Sequence, residues 1–160
     1  MTQTQTLLII GGMTLLSTLI LTRGSNTINH LARTLHIEAV SASFSIGQSA
    51  IEQMNAVAFD ENTKTQDVKV ASGLSTTLGP ETGETLLSHY DDVDDFHNYT
   101  WSGSTEKLGT FNAKITVNYG TTANPDVTTS TKTFYKKIQI LITNQYLLQD
   151  TLRLQTIRGY

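Results

Sequence analysis

Four aspartates, Asp91, Asp92, Asp94 and Asp95, crowd one short stretch of this 160-residue chain and are its only concentration of metal-like ligands. Calcium takes six to eight oxygen ligands, so closely spaced loop carboxylates with backbone carbonyls and Asn98 nearby have the chemistry of a calcium site, although the spacing does not follow the twelve-residue EF-hand loop. Two other readings stand beside it: a solvated acidic loop, and pairing with the basic residues of the C-terminal third. The charge distribution favours pairing. Residues 60–106 carry Asp60, Glu61, Asp67, Glu81, Glu84, Asp91, Asp92, Asp94, Asp95 and Glu106 against only Lys64 and Lys69, whereas residues 107–160 carry seven bases and two acids, Lys132, Lys136, Lys137 and Arg153 among the bases. Such a split suggests internal or subunit-to-subunit complementarity, and it lacks the single broad basic surface that a nucleic-acid partner requires.

His89 and His97 flank the cluster, but two histidines without a third nitrogen ligand are weak grounds for zinc. With no cysteine there is no thiolate metal site and no disulfide. No Gly-x-Ser-x-Gly, phosphate loop or His-Glu-x-x-His is present, and the chain reads as a non-enzyme. Asn98-Tyr99-Thr100 matches the glycan acceptor pattern, a common chance match in a threonine-rich chain. Tyr99 and Trp101 beside the acidic loop read as either a ligand platform or a cap on the core.

The elements that position these residues begin with an uncharged N-terminal stretch. Gln5, Leu7, Leu8, Ile9, Ile10, Met13, Leu15, Leu16, Leu19, Ile20 and Leu21 form an apolar helix that reaches the roughly 20 residues needed to cross the hydrocarbon core. A cleaved secretory signal would carry a basic segment first, and no Lys or Arg precedes Arg23. Residues 1–24 are therefore expected to be a membrane and assembly helix.

Residues 25–59 continue as an amphipathic stem. One seam runs through Ile28, Leu31, Leu35, Ala39, Ala42, Ile46, Ala50, Met54 (or Gln53) and Val57, and a second through Ile37, Val40, Phe44, Ile51, Met54 and Ala58. Two seams imply two partners. Small residues between them (Ser41, Ser43, Ser45, Gly47, Ser49) allow close backbone approach. A helix this long calls for coiled, membrane or filament packing.

Residues 60–160 form the expected head. A loop region over 60–109 precedes an antiparallel sheet over 110–160. Thr110 to Tyr119 alternates apolar and polar residues, Gly120 to Pro125 is a turn, and Val127 to Thr143 reads as a second, longer strand with Phe134, Ile138, Ile140 and Ile142 inward. Lys136 breaks that inward face and is expected to mark an edge or a bulge. A last strand is predicted around Thr151 to Ile157. The fold class is α+β: a long N-terminal helix packed against a C-terminal antiparallel meander.

This order of elements resembles a type IV pilin or a type II secretion pseudopilin. Tyr90-Asp91-Asp92-Val93-Asp94-Asp95-Phe96, shortly after Leu78-Gly79-Pro80-Glu81-Thr82-Gly83-Glu84-Thr85, resembles a motif of minor pilins of the mannose-sensitive haemagglutinin type. The family's Phe-Thr-Leu-Ile-Glu mature start is missing. With Met1 as the first mature residue, Gln5 stands where the family has its glutamate, and a neutral amide hydrogen bonds to a neighbouring amine without forming a charge pair. The resemblance implies a structural subunit that waits in the inner membrane, meets the assembly machinery there, and polymerises with copies of itself into an extracellular filament. A minor pseudopilin of a secretion or pilus machine is the nearest alternative, and a single-span sensor or ligand-binding protein is the alternative from another class.

Overall fold

A computed structural model describes residues 2–160, so the reading of Met1 as a processed N-terminus lies outside the described residues. Helix α1 spans Gln3–Ala56. Strands β1 (Thr100–Thr105), β2 (Gly109–Gly120), β3 (Thr128–Thr129), β4 (Tyr135–Thr143) and β5 (Thr151–Gly159) follow in chain order. Contacts divide the chain into two compact units, one ending at Glu38 and the other running Ala39–Tyr160.

The first unit is helix alone. It is long and apolar enough to cross a membrane. Its threonines suit such a setting, because Thr14, Thr18 and Thr22 donate their hydroxyls to the carbonyls of Gly11, Leu15 and Thr18, which satisfies these three donors within the helix. Gln5 accepts the backbone N–H of Thr2 at 3.1 Å, which satisfies one of the free donors at the start of the helix.

In the second unit the C-terminal part of α1 packs on a five-stranded antiparallel sheet of order β1-β2-β4-β5, with β3 paired to the end of β2. Apart from the short β3, strands consecutive in sequence are paired in space, so the sheet is the expected meander. Its buried face is built from Phe111, Ala113, Ile115, Val117 and Tyr119 of β2 and from Ile138, Ile140 and Ile142 of β4. The helix meets that face through a narrower seam than either periodic reading gives. Its buried residues are Ala39, Ser43, Gly47 and Met54. Gly47 is the tightest point: a Cβ there would lie 2.0 Å from Leu154 Cδ1 and 3.4 Å from Ile142 Cδ1. Small side chains let the backbone of α1 settle directly onto β4 and β5, while the bulkier Ile37 and Phe44 remain exposed.

Three expectations for the head differ from the structure. The sheet begins earlier than residue 110, since Thr100–Thr105 pairs with β2 through a tight hairpin whose Gly109 takes φ +70°. The run from Val127 to Thr143 is broken into β3 and β4. Lys136 marks neither an edge nor a bulge. It lies in β4, between β2 and β5, in regular register with Tyr119 on one side and Arg158 on the other. Its side chain points inward with Ile138, Ile140 and Ile142, and it is fully buried.

The segment from Asp60 to Tyr99 is ordered by a smaller core of Phe59, Val68, Leu74 and Tyr119, with Ala71, Leu78 and Phe134 against it. Tyr160 packs on Phe134 and Phe59, accepts the N–H of Val68 at 3.1 Å and donates to Asp67.

Candidate functional site

The aspartate cluster folds itself first. Asp92 Oδ1 accepts the N–H of Asp94 at 2.6 Å and of Asp95 at 3.3 Å, and Asp95 Oδ2 accepts the N–H of Asp91 at 2.9 Å and of Asp92 at 3.1 Å. Aspartate is suited to this because its short side chain reaches backbone donors two or three residues away. The turn is tied to the chain leaving α1 by Ala58 N–H to Asp91 O (2.9 Å) and Val93 N–H to Ala58 O (3.2 Å).

Beneath it lies Lys136. Its ammonium donates to Phe59 O at 2.7 Å, Asp60 Oδ2 at 3.0 Å and Asp94 Oδ2 at 2.7 Å, so all three of its protons are used. The same nitrogen sits 4.5 Å from the centroid of the Phe59 ring. Asp60 is the better satisfied of the two carboxylates. It accepts from the backbone and hydroxyl of Ser75 at 2.9 Å each, from Asn62 N–H and from Tyr119 Oη at 3.2 Å. Burial alone would raise the Asp60 carboxyl; the Lys136 ammonium and the Ser75 hydrogen bonds outweigh it and hold it below its ordinary value.

One ammonium cannot balance the rest. Asp92, Asp94 and Asp95 are fully buried, and each keeps one carboxylate oxygen without a donor (Asp92 Oδ2, Asp94 Oδ1, Asp95 Oδ1). Desolvation pushes Asp94 up to about 7 despite Lys136. It pushes Asp92 up to about 6, with the Asp95 charge adding to the effect, and it raises Asp95 as well. Outside them stand three further acids, Glu61, Glu81 and Glu84. One carboxylate oxygen from each residue of Glu61, Glu81 and Asp92 falls within 4.8 Å of the others, and the same holds for Glu81, Glu84 and Asp95 and for Glu61, Glu84 and Asp91. Glu81 is pushed up to about 8 by desolvation, its contact with Glu84 and the charges of Asp92 and Asp95. Among the described residues Lys64 is the base paired with this outer group, with Glu61 at 2.8 Å and with Asp91.

The four aspartates are thus brought together in the turn but divided in task. Asp94 faces Lys136, as the charge split suggested, while Asp91, Asp92 and Asp95 face the glutamates. Of the other bases expected to compensate them, Lys132 donates to Ser72 O and Leu74 O, and Lys137 pairs with Asp126. The histidines are spent on the backbone: His89 Nδ1 lies 3.2 Å from Gly83 O, and His97 Nδ1 contacts both the carbonyl and the N–H of Val117. Asn98 is drawn to β2 through its N–H to Ile115 O. The sequence reading omitted Asp60, Glu61, Glu81 and Glu84 as site residues. For Asp60 a signal was available, because a lone lysine on an inward apolar face requires a buried acceptor.

A second concavity, of about 420 Å³, lies between α1 and the sheet, lined by Ile46, Ala50, Gln53, Tyr99, Trp101 and Ile115. Tyr99 packs edge-on to Tyr90 and Phe96, and Trp101, 39% exposed, folds its ring over Gly103. The expected assembly residues Gln5, Leu7, Leu8, Ile9, Ile10, Met13, Leu15, Leu16, Leu19, Ile20 and Leu21 are all exposed in the first unit.

No protein family, curated protein or solved structure matches this chain.

Proposed function

We propose that the chain is a structural subunit of a type IV pilus-like extracellular filament, held in the inner membrane before assembly and polymerising through its N-terminal helix. The observation that carries this reading is the uncovered apolar helix. Leu7, Leu8, Ile9 and Ile10 are consecutive and so point to every side of the helix, and Leu8 is 77% exposed. A surface of that kind needs cover on all sides, from lipid or from other helices. Lipid tails and neighbouring helices cover leucine about equally well, so one helix can exchange the first for the second at little hydrophobic cost. The exposed Ile37 and Phe44 offer further surface for neighbouring copies. The order of elements, helix then antiparallel meander, is the one that the resemblance to pilins leads one to expect.

The test is to express the full chain in a bacterium with a pilus assembly machine, shear the cell surface and look for uniform fibres carrying it by electron microscopy. Fibres that contain the chain support the reading. Full retention in the membrane as a monomer, with no fibres, would instead favour a single-span anchored protein whose head uses the concavity beside Trp101.

A further inference from the structure

The geometry points to a calcium site centred on Glu81, the carboxylate common to two convergent trios, one of Glu61, Glu81 and Asp92 and one of Glu81, Glu84 and Asp95. Two independent observations meet here. The first is convergence: within each of these two trios, drawn from separate stretches of the loop region, one oxygen of each carboxylate lies within 4.8 Å of the others, and Glu81 belongs to both. Oxygens bound to one calcium at 2.3–2.6 Å are separated by at most about 5 Å, so this spacing fits a shared ion. The second is that Asp92 and Asp95, at the base of the basin, are fully buried and each keep one oxygen with no donor, while the other oxygen is fixed by backbone N–H groups. A buried carboxylate oxygen without a partner is costly, and a cation is the partner that this surrounding of acids leaves room for.

The ion's class follows from the donors. All are carboxylates, which suits a hard cation, and neither His89 nor His97 belongs to the convergent groups. Calcium tolerates irregular sets of six to eight oxygens, whereas magnesium demands near-ideal octahedral geometry at 2.0–2.1 Å. Asp94 takes no part, since its Oδ2 is engaged by Lys136 and it belongs to none of the convergent groups. The site belongs wholly to the head, so it stands or falls separately from the filament reading.

The experiment uses the full chain in detergent micelles, stripped with a chelator and titrated with calcium chloride by calorimetry and by thermal melting. Saturable binding is expected, with a rise in melting temperature; at a hundredfold excess over Kd the folded-to-unfolded ratio rises about a hundredfold. The paired substitution Glu81→Gln with Glu84→Gln is expected to weaken calcium binding at least tenfold and, in chelator, to raise the melting temperature by relieving repulsion. Glu106→Gln serves as the remote control and leaves binding unchanged. Because the substituted glutamates lie at the outer side of the basin, circular dichroism that matches the parent confirms that the variant is folded. No saturable binding to the parent at millimolar calcium, or undiminished binding to the folded double variant, overturns the site. Equal binding of magnesium overturns the choice of ion.

Discussion

Lys136 and Arg158 stand directly opposite each other across the β4–β5 ladder, and both turn inward to receive the same stretch of chain. Arg158 donates to Met54 O and to Val57 O (2.6 Å), and Lys136 to Phe59 O (2.7 Å), so two neighbouring cations hold the C-terminal end of α1 and the chain that leaves it. Carbonyls at a helix end have no partner within the helix, and the end carries partial negative charge, so Arg158 on Met54 O satisfies both requirements, while Lys136 holds the chain just beyond the helix. Lys136 then carries its charge onward to Asp60 and Asp94, which links the helix end to the acidic basin.

Lys136→Met is expected to be among the most damaging substitutions in the head. It keeps most of the side-chain volume but leaves two buried carboxylates facing no cation, a loss of about 3–5 kcal/mol. Adding Asp94→Asn should recover part of that loss, because one of the stranded charges disappears. Urea unfolding of the parent, the single variants and the pair measures the coupling. Strictly additive losses would show that Lys136 and Asp94 do not interact.

Acidity should stabilise the metal-free head before it destabilises it. The Asp94 carboxyl, which faces Lys136, Asp60, Asp92 and Tyr119, rises from 3.8 to about 7 on folding, and Asp92 rises to about 6. Between those limits the folded chain keeps protons that the unfolded chain has released, so stability falls as pH climbs from about 4 to 7. Asp60 is shifted the other way, and its contribution is lost as pH falls from the ordinary carboxylate value through its depressed one. In chelator the melting temperature is therefore expected to peak in the mildly acid range, and Asp94→Asn should flatten the decline above it. A melting temperature that climbs steadily from pH 4.5 to 7.5 would contradict this balance.

Gly47→Val is expected to lower stability by about 1–3 kcal/mol, since the added atoms fall on Leu154 and Ile142 and force them from their places. Leu154→Ala should make the same substitution better tolerated by opening the space. Gly24→Val provides the contrast: nothing lies within 4 Å of a Cβ at Gly24. Thermal melting of the three single variants and of the Gly47→Val, Leu154→Ala pair tests the contact.

Ile9→Asp addresses the N-terminal helix. An aspartate in an apolar membrane helix costs about 2.5–3.5 kcal/mol at the helix centre, so the variant should partition less into membranes and yield fewer fibres, while the head melts unchanged. Undiminished membrane recovery and fibre yield would show that Ile9 is not covered by an apolar environment in either state.

The fold was legible where periodicity is set by burial on one face. The strands at Gly109–Gly120 and Thr151–Gly159 alternate as half-buried strands must, and the meander follows from short connections. The seam of α1 was harder to read, because Ala39, Ser43 and Gly47 carry little hydrophobic signal, and their burial depends on close backbone approach. β1 escaped notice since Trp101, Ser102, Gly103 and Ser104 lack alternation, and its place comes from pairing with β2. At the site, the aspartates announced themselves by density. Glu61, Glu81 and Glu84 join them only through the path of the loop, which no local pattern records.

The face of α1 that carries Gly47 is covered by Leu154 and Ile142, its end is closed by Arg158 and the chain leaving it is held by Lys136, all contributed by β4 and β5. A chain made from its N-terminus therefore exposes this helix face roughly a hundred residues before its covering strands exist, an interval of about 5–20 s at 5–20 residues per second. During that interval the stem's seam is open to any apolar surface nearby. The small side chains that let the helix seat so closely also make the waiting surface a weak one, which lowers its tendency to stick elsewhere before β5 arrives.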